Sequence, residues 1–376
     1  MAKQITCYSF LMSRTHYLRI LLPFLTPAKI YNLTISFFSY LVGRKSSGIA
    51  PCLLTILLTS RCNYSCIMCK KSSKVENFYT HLTDIDFDKL TEVLKENAKY
   101  LILVKLTGGE PICYKEFFRL IDLLGELNIP YCLFTNFSLL TPELCRKLLK
   151  CCLWISISLD AANTNIYKKI RRNGKMELIK ANLEVLNKIK HEHYSKTPLL
   201  NVSMTTFTFN LEEMTALVRF CYQYRISGLT IGEGKLYNKP CLREKHLIKY
   251  HINELNKTVK ESKRLAKKLG VIIRYNFPCL KKTKTETTKV NLDLYLSALI
   301  YPDLNVYMNP NDSTQVGNIH KNSLKQIWNG VDSGFTALRG KRVSSTFVIL
   351  KRIGKSFITM QCLLTKSFYQ YSKRMH

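Results

Sequence analysis

The sequence predicts an α/β fold, a barrel or partial barrel of parallel strands with a small α+β extension behind it. Three observations carry this expectation. Between Leu53 and Tyr275 short aliphatic or β-branched runs alternate with longer helical stretches, the pattern of repeated strand-helix units. The helical stretches carry start signals of their own. At 281–291 (KKTKTETTKVN) the alternation stops in a polar, basic segment almost free of large apolar groups, which reads as a solvated linker.

The strands are expected at 53–59, 101–106, 131–135, 153–159, 199–205, 228–232 and 271–275. Helix starts are marked by Thr83 with Asp86, by Thr141 followed by Pro142, and by Asn210 with Glu213 three residues on. At such positions a side-chain oxygen accepts an unpaired backbone N–H, and a proline has no N–H to leave unpaired. Six or seven units of this kind place reactive groups at the C-terminal ends of the strands.

Residues 1–50 read as a basic, apolar, helical extension ahead of a core barrel at 51–280. From Tyr17 to Gly43 the chain is apolar, but Arg19, Pro23, Pro27, Lys29 and Asn32 interrupt it, so no clean membrane-spanning run forms. After Pro27, Ile30, Leu33, Phe37, Phe38 and Leu41 recur at helical spacing. They predict an amphipathic helix, either packed on the main domain or lying on a membrane surface. Beyond the linker, 292–340 reads as two short strands, a turn at Asn309, Pro310 and Asn311, and a helix from Ser323 to Trp328; 341–376 is a basic tail.

The 376 residues are 46% apolar and 22% charged, which excludes a disordered or collagen-like chain. Lys and Arg number 57 against 26 Asp and Glu, a net charge of +31. No acid precedes Glu76, and none follows Asp332. Such ends are drawn to anionic surfaces, although a composition rich in Lys, Ile, Asn and Tyr accounts for much of the charge without any partner. A recognisable nucleic-acid module is missing, so nucleic acid is not an expected partner. Fourteen scattered cysteines and no secretory-type leader point to free thiols in a reducing cytoplasm, with the membrane surface as a peripheral alternative.

Directly after the first strand comes Arg61-Cys62-Asn63-Tyr64-Ser65-Cys66-Ile67-Met68-Cys69. Three thiols in so short a loop can ligate three irons of a four-iron, four-sulfur cubane and leave the fourth iron open. A tetrahedral zinc site would need a further ligand, for which His81 is the nearest imidazole, and structural zinc more often takes cysteines in separate pairs. After the second strand, Gly108-Gly109-Glu110-Pro111 offers a close backbone approach and a carboxylate suited to an ammonium group.

The loop resembles the CxxxCxxC signature of the radical S-adenosylmethionine (radical SAM) enzymes, and Gly108 through Pro111 resembles that family's GGEP motif. Thr135-Asn136, Ser156 through Asp160, and Tyr167 through Arg171 extend the resemblance along most of the barrel. It implies a partial (β/α)6 TIM-like barrel and one four-iron, four-sulfur cluster on Cys62, Cys66 and Cys69. It further implies SAM contacts from Met68, Gly108, Gly109, Glu110, Pro111, Asn136, Ser158, Asp160 and Arg171. For Asp160 helix capping is the competing reading.

The implied chemistry is reductive cleavage of SAM to methionine and a 5'-deoxyadenosyl radical, which takes hydrogen from a substrate. A reduced flavodoxin or ferredoxin would donate the electron. The substrate would be a peptide, or else a small or lipid-linked molecule; a non-catalytic iron-sulfur scaffold is the alternative from another class. The segment from Val306 to Trp328 resembles the SPASM or twitch extension of such enzymes, but the position usually held by cysteine reads Met308 or Asn309. Only Cys279 upstream and Cys362 downstream remain. A cluster-free remnant that covers the barrel mouth is the expectation.

Overall fold

The computed structural model describes residues 19–69, 84–236, 242–280, 292–307 and 315–330, together with Phe335 and Arg339. The expected linker at 281–291, the turn at 309–311, the tail at 341–376, and Thr83, His81, Met308 and Cys362 lie outside the described residues. The chain divides into two compact units, one from 56–87 and 105–286, the other from 2–55, 88–104 and 287–376.

Seven strands run in consecutive order: β1 (Leu53–Leu57), β2 (Leu103–Thr107), β3 (Tyr131–Thr135), β4 (Cys152–Ser158), β5 (Leu199–Thr206), β6 (Gly228–Glu233) and β7 (Ile272–Asn276), the last five wholly within the first unit. From β3 to β7 each neighbouring pair is parallel. β4 is buried over six of its seven residues, as a strand covered on both faces must be, whereas β7 is half-buried throughout.

The helices between these strands are amphipathic, and they close the outer layer. α1 (Pro27–Val42) and α2 (Phe87–Asn97) precede the first-unit helices α3 (Phe117–Glu126), α4 (Pro142–Cys151), α5 (Thr164–Ile170), α6 (Met176–Glu192), α7 (Glu213–Gln223) and α8 (Ile252–Leu269). On α6, Met176, Ile179, Leu183 and Leu186 are buried at the three-to-four spacing of one helix face. Thr141 caps α4 as expected, its hydroxyl accepting Leu144 N–H at 3.1 Å with Pro142 in the first turn.

Asn210 does not start a helix. It sits in a short turn at 208–210, and α7 begins only at Glu213. Its amide is committed elsewhere, accepting from Phe207 N–H and donating to the carbonyls of Asp160 and Thr205. A local cap signal was outcompeted by three backbone groups that the tertiary fold brings to the same side chain.

The second unit holds α9 (Asp293–Leu296), the antiparallel strands β8 (Ser297–Ile300), β9 (Asn305–Tyr307) and β10 (Gln315–Asn318), and α10 (Leu324–Asn329). Three strands thus stand where two were expected. Ser323 and Gln326 form a reciprocal capping box at the start of α10. Arg339 is buried and pairs with no carboxylate among the described residues; its guanidinium donates to the carbonyls of Trp328 (2.8 Å) and Leu294 (3.0 Å) and lies 4.4 Å from the Trp328 ring centroid. Burial lowers its pKa to about 9.

The N-terminal helix α1 forms where its spacing placed it, and of its two sides the polar one is buried. Lys29, Asn32, Ser36 and Ser39 are buried, while Ile30, Leu33 and Phe38 stand exposed. Among the described residues, no helix is long and apolar enough to cross a membrane.

Candidate functional site

A cavity of ≈ 600 Å³ opens in the first unit at the C-terminal ends of its strands. Its wall brings together Cys62, Cys66, Met68, Cys69, Gly108, Gly109, Glu110, Asn136, Ser158 and Arg171, ten of the sequence-expected site residues. Pro111 and Asp160 do not line it. Three successive loops, after β1, β2 and β3, supply most of the wall because the strands lie side by side in chain order.

The thiol loop is held from both flanks. Ser65 N–H donates to Arg172 O at 3.1 Å and Ile67 N–H to Ile170 O at 3.0 Å, while Cys69 N–H closes a turn on Cys66 O at 3.1 Å. Burial pushes the Cys62 thiol up to about 11 and raises that of Cys66 as well; the neighbouring thiols raise both further. All three are free of disulfides. A cationic iron centre reverses that balance, because a coordinating thiol gives up its proton. Among the described residues no three His, Cys, Asp or Glu side chains are grouped around a single ion position. A four-iron cluster takes one thiolate per iron.

The glycines explain how the second loop reaches the first. Gly109 N–H donates to Thr59 O and Glu110 N–H to Arg61 O, each at 2.7 Å. A Cβ on Gly109 would collide with the Arg61 carbonyl, and Gly108 adopts φ +136° with Thr59 O only 2.6 Å from where its Cβ would stand. The Gly-Gly pair therefore lets the carboxylate-bearing loop lie directly against the segment that leads into Cys62.

Glu110 is 1% exposed. Its oxygens accept Thr135 Oγ1 at 2.6 Å, Asn136 N–H at 2.7 Å and Ile112 N–H at 3.3 Å. Among the described residues no ammonium or guanidinium hydrogen-bonds it. Burial accordingly raises its pKa to about 7, against the pull of those donors. A buried carboxylate on the cavity wall with only neutral partners fits a ligand that brings its own cation, as the methionyl ammonium of SAM does.

Arg171 and Asp160 form a buried ion pair, Nε to Oδ2, at 2.6 Å. The second Asp160 oxygen accepts Thr205 N–H at 2.7 Å. Asp160 is thus neither a helix cap nor part of the cavity wall; it stands behind Arg171, and Asn163 caps α5 instead. Arg171 Nη1 lies 3.6 Å from Cys66 Sγ.

Sequence reasoning missed Asn63. Its side chain accepts Asn136 Nδ2 at 2.7 Å and donates to Ser138 Oγ at 2.9 Å, tying the thiol loop to the loop after β3. Thr205, at the end of β5, was missed too. The available signal was position, since polar residues at the C-terminal ends of barrel strands are where sites form.

Residues 56–221 match the Radical SAM superfamily. The probable GTP 3',8-cyclase of Methanocaldococcus jannaschii is 28% identical over 171 residues, 45% of this chain and 54% of that protein. Mycofactocin maturase MftC of Mycolicibacterium smegmatis is 30% identical over 139 residues, 37% and 35% of the two chains. The chain thus spans about half or less of these curated relatives. Among solved structures, Streptococcus suis SuiB bound to S-adenosylmethionine superposes with a TM-score of 0.60 at 15% identity, over 80% of this chain and 70% of that one. SuiB bound to precursor peptide SuiA gives 0.61 at 14%, over 80% and 69%. At that identity the likeness is one of fold, a mostly parallel α/β sheet of the partial-barrel type. The thiol loop, the buried carboxylate and the match converge on the same stretch of chain: residues 56–221 match the Radical SAM superfamily, and the cavity is built mostly from that stretch.

Proposed function

We propose that the chain is a radical SAM enzyme that acts on a peptide. The observation that carries the reading is the single cavity in which Cys62, Cys66 and Cys69 line the same wall as a buried Glu110 that, among the described residues, is hydrogen-bonded by neutral donors alone. When bound, a four-iron, four-sulfur cluster and SAM supply the one-electron reductive cleavage that yields methionine and a 5'-deoxyadenosyl radical.

The chain's own residues bind and orient. Cys62, Cys66 and Cys69 would hold the cluster. Glu110, fixed by Thr135 and Asn136, would receive the methionyl ammonium, and the Gly108-Gly109 backbone allows its close approach. Arg171, held by Asp160, presents a positive charge beside Cys66 and is placed to balance thiolate charge or to meet the methionyl carboxylate. Met68 and Ser158 line the rest of the cavity.

A partner surface supports an acidic flavodoxin or ferredoxin as electron donor. Cys66 and Met68 line the thiol cavity, whereas Ile67 between them lines a second groove of ≈ 520 Å³; Arg171 lines the cavity, whereas Ile170 and Arg172 line the groove. The wall between them is one residue thick. Lys168, Lys169 and Arg172 make the groove cationic, and Phe209 gives it an exposed apolar contact, so an acidic carrier would be steered there.

The peptide preference rests on the peptide-bound fold neighbour SuiB and on a maturase among the relatives. For 292–340 the reading is a SPASM/twitch-like extension without auxiliary clusters, since no cysteine occurs in that stretch.

Anaerobic reconstitution tests the whole. Dithionite-reduced protein should release 5'-deoxyadenosine from SAM, and Cys66→Ala should abolish the release. Bound iron should stand at about four per chain. Protein that holds such a cluster yet leaves SAM intact would sink the enzymatic reading, and about eight irons or more would sink the single-cluster one.

A further inference from the structure

The helix α1 is built inside out. It is fastened by its polar side: Asn32 Oδ1 accepts Ile49 N–H at 2.6 Å and Ala50 N–H at 3.3 Å, while Nδ2 donates to Ala50 O at 2.9 Å. Ser36 Oγ accepts Gly48 N–H at 3.2 Å. Gly48 is pressed against both side chains so closely that a Cβ there would strike them. Every buried polar group on that side which enters these bonds is satisfied. To roll the helix and hide its apolar side would break all of them.

The opposite side carries Ile30 (50% exposed), Tyr31 (60%), Leu33 (37%) and Phe38 (49%), with Leu22 (57%) just before the helix. Over 16 residues, about 24 Å of helix, an apolar stripe is thus held outward by a polar anchor. A chain that exposes so much contiguous apolar side chain has a partner for it.

The charge around the stripe selects the partner. Arg44 places its guanidinium 5.4 Å from the Phe38 ring centroid, Lys45 beside it is exposed, and no acid occurs anywhere in the first 75 residues. A second copy of the chain would bring +31 against +31, which disfavours a homodimer through this face. An apolar strip with cations at its rim matches the boundary between acyl chains and anionic headgroups.

We propose that the outward face of α1 docks the protein on an anionic phospholipid surface, with Ile30, Leu33 and Phe38 entering the acyl boundary and Arg44 and Lys45 meeting the headgroups. The reading is independent of SAM chemistry, and its test needs no turnover.

The full chain should float with vesicles of phosphatidylcholine and phosphatidylglycerol, and bind pure phosphatidylcholine vesicles about tenfold or more weakly. Leu33→Asn/Phe38→Ser should weaken binding to the anionic vesicles about tenfold or more with melting temperature and circular dichroism unchanged, because both side chains are exposed. Arg44→Glu/Lys45→Glu should weaken it also, and more so at low salt. Three results overturn the proposal: no flotation of the wild-type chain; flotation that Leu33→Asn/Phe38→Ser leaves intact, which would assign it to the basic ends alone; or a dimer in sedimentation equilibrium that the same variant dissociates, which would assign the face to a second copy.

Discussion

Arg171 donates from Nε to Asp160 Oδ2 at 2.6 Å while its Nη1 lies 3.6 Å from the sulfur of Cys66, so one guanidinium links the segment just after β4 to the thiol loop. Asp160 is fully buried and Arg171 nearly so. Removing one charge of such a pair leaves the other stranded in low dielectric.

Asp160→Asn is therefore expected to destabilise the protein by about 3 kcal/mol, a magnitude typical of broken buried pairs. Chemical denaturation under anaerobic conditions measures it. Asp160 has no place on the cavity wall, so any loss of SAM affinity in this variant would come through a displaced Arg171.

Glu110 yields a pH prediction. Burial raises its pKa to about 7 from the ordinary 4.5, so in ligand-free protein the neutral form favours the fold. That contribution is fully present below pH 4.5 and is lost as pH rises through 7. An ammonium ligand needs the ionised form, so SAM binding should tighten about tenfold between pH 6 and pH 8, with proton release on binding near pH 6. Calorimetry in buffers of different ionisation enthalpy reads both. Glu110→Gln should bind SAM weakly and without this pH dependence; a wild-type affinity that stays flat over the same range would remove Glu110 from the ammonium site.

Lys168 and Lys169 are exposed on the groove behind the thiol loop. In Lys168→Glu/Lys169→Glu, SAM cleavage driven by dithionite should stay at the wild-type rate. With reduced flavodoxin the KM for the carrier should rise about tenfold, and its salt dependence should flatten. The same two changes at Lys263 and Lys267, exposed on α8, should leave the carrier kinetics alone.

Arg339→Met should destabilise the second unit by about 3 kcal/mol, because the carbonyls of Trp328 and Leu294 lose a charged donor and stay buried. Thermal melting of the full chain, followed by circular dichroism and by tryptophan fluorescence, to which Trp154 and Trp328 both contribute, gives the readout.

The barrel strands were legible because each is a short apolar run between polar turns, a signal contained in five to eight neighbouring residues. Observed ends differ from the expected ones by about two residues at most. The thiol loop and the GGEP turn were legible for the same local reason. Asn63, Thr205 and the true partners of Asp160 and Asn210 were not, because their contacts join residues from 3 to 75 positions apart across several loops.

From its sequence alone this protein determined its strand-helix alternation, its three-thiol loop and the carboxylate after the second strand, since periodicity and spacing are properties of consecutive residues. Tertiary structure alone decided that Glu110 is enclosed with neutral donors, that Asp160 holds Arg171 rather than lining the cavity, and that α1 turns its apolar stripe outward. Hydropathy shows that a helix has two unlike sides, but which side is buried depends on what the rest of the chain offers each. Here the 48–50 segment offers backbone hydrogen bonds to Asn32 and Ser36, and the polar side took them.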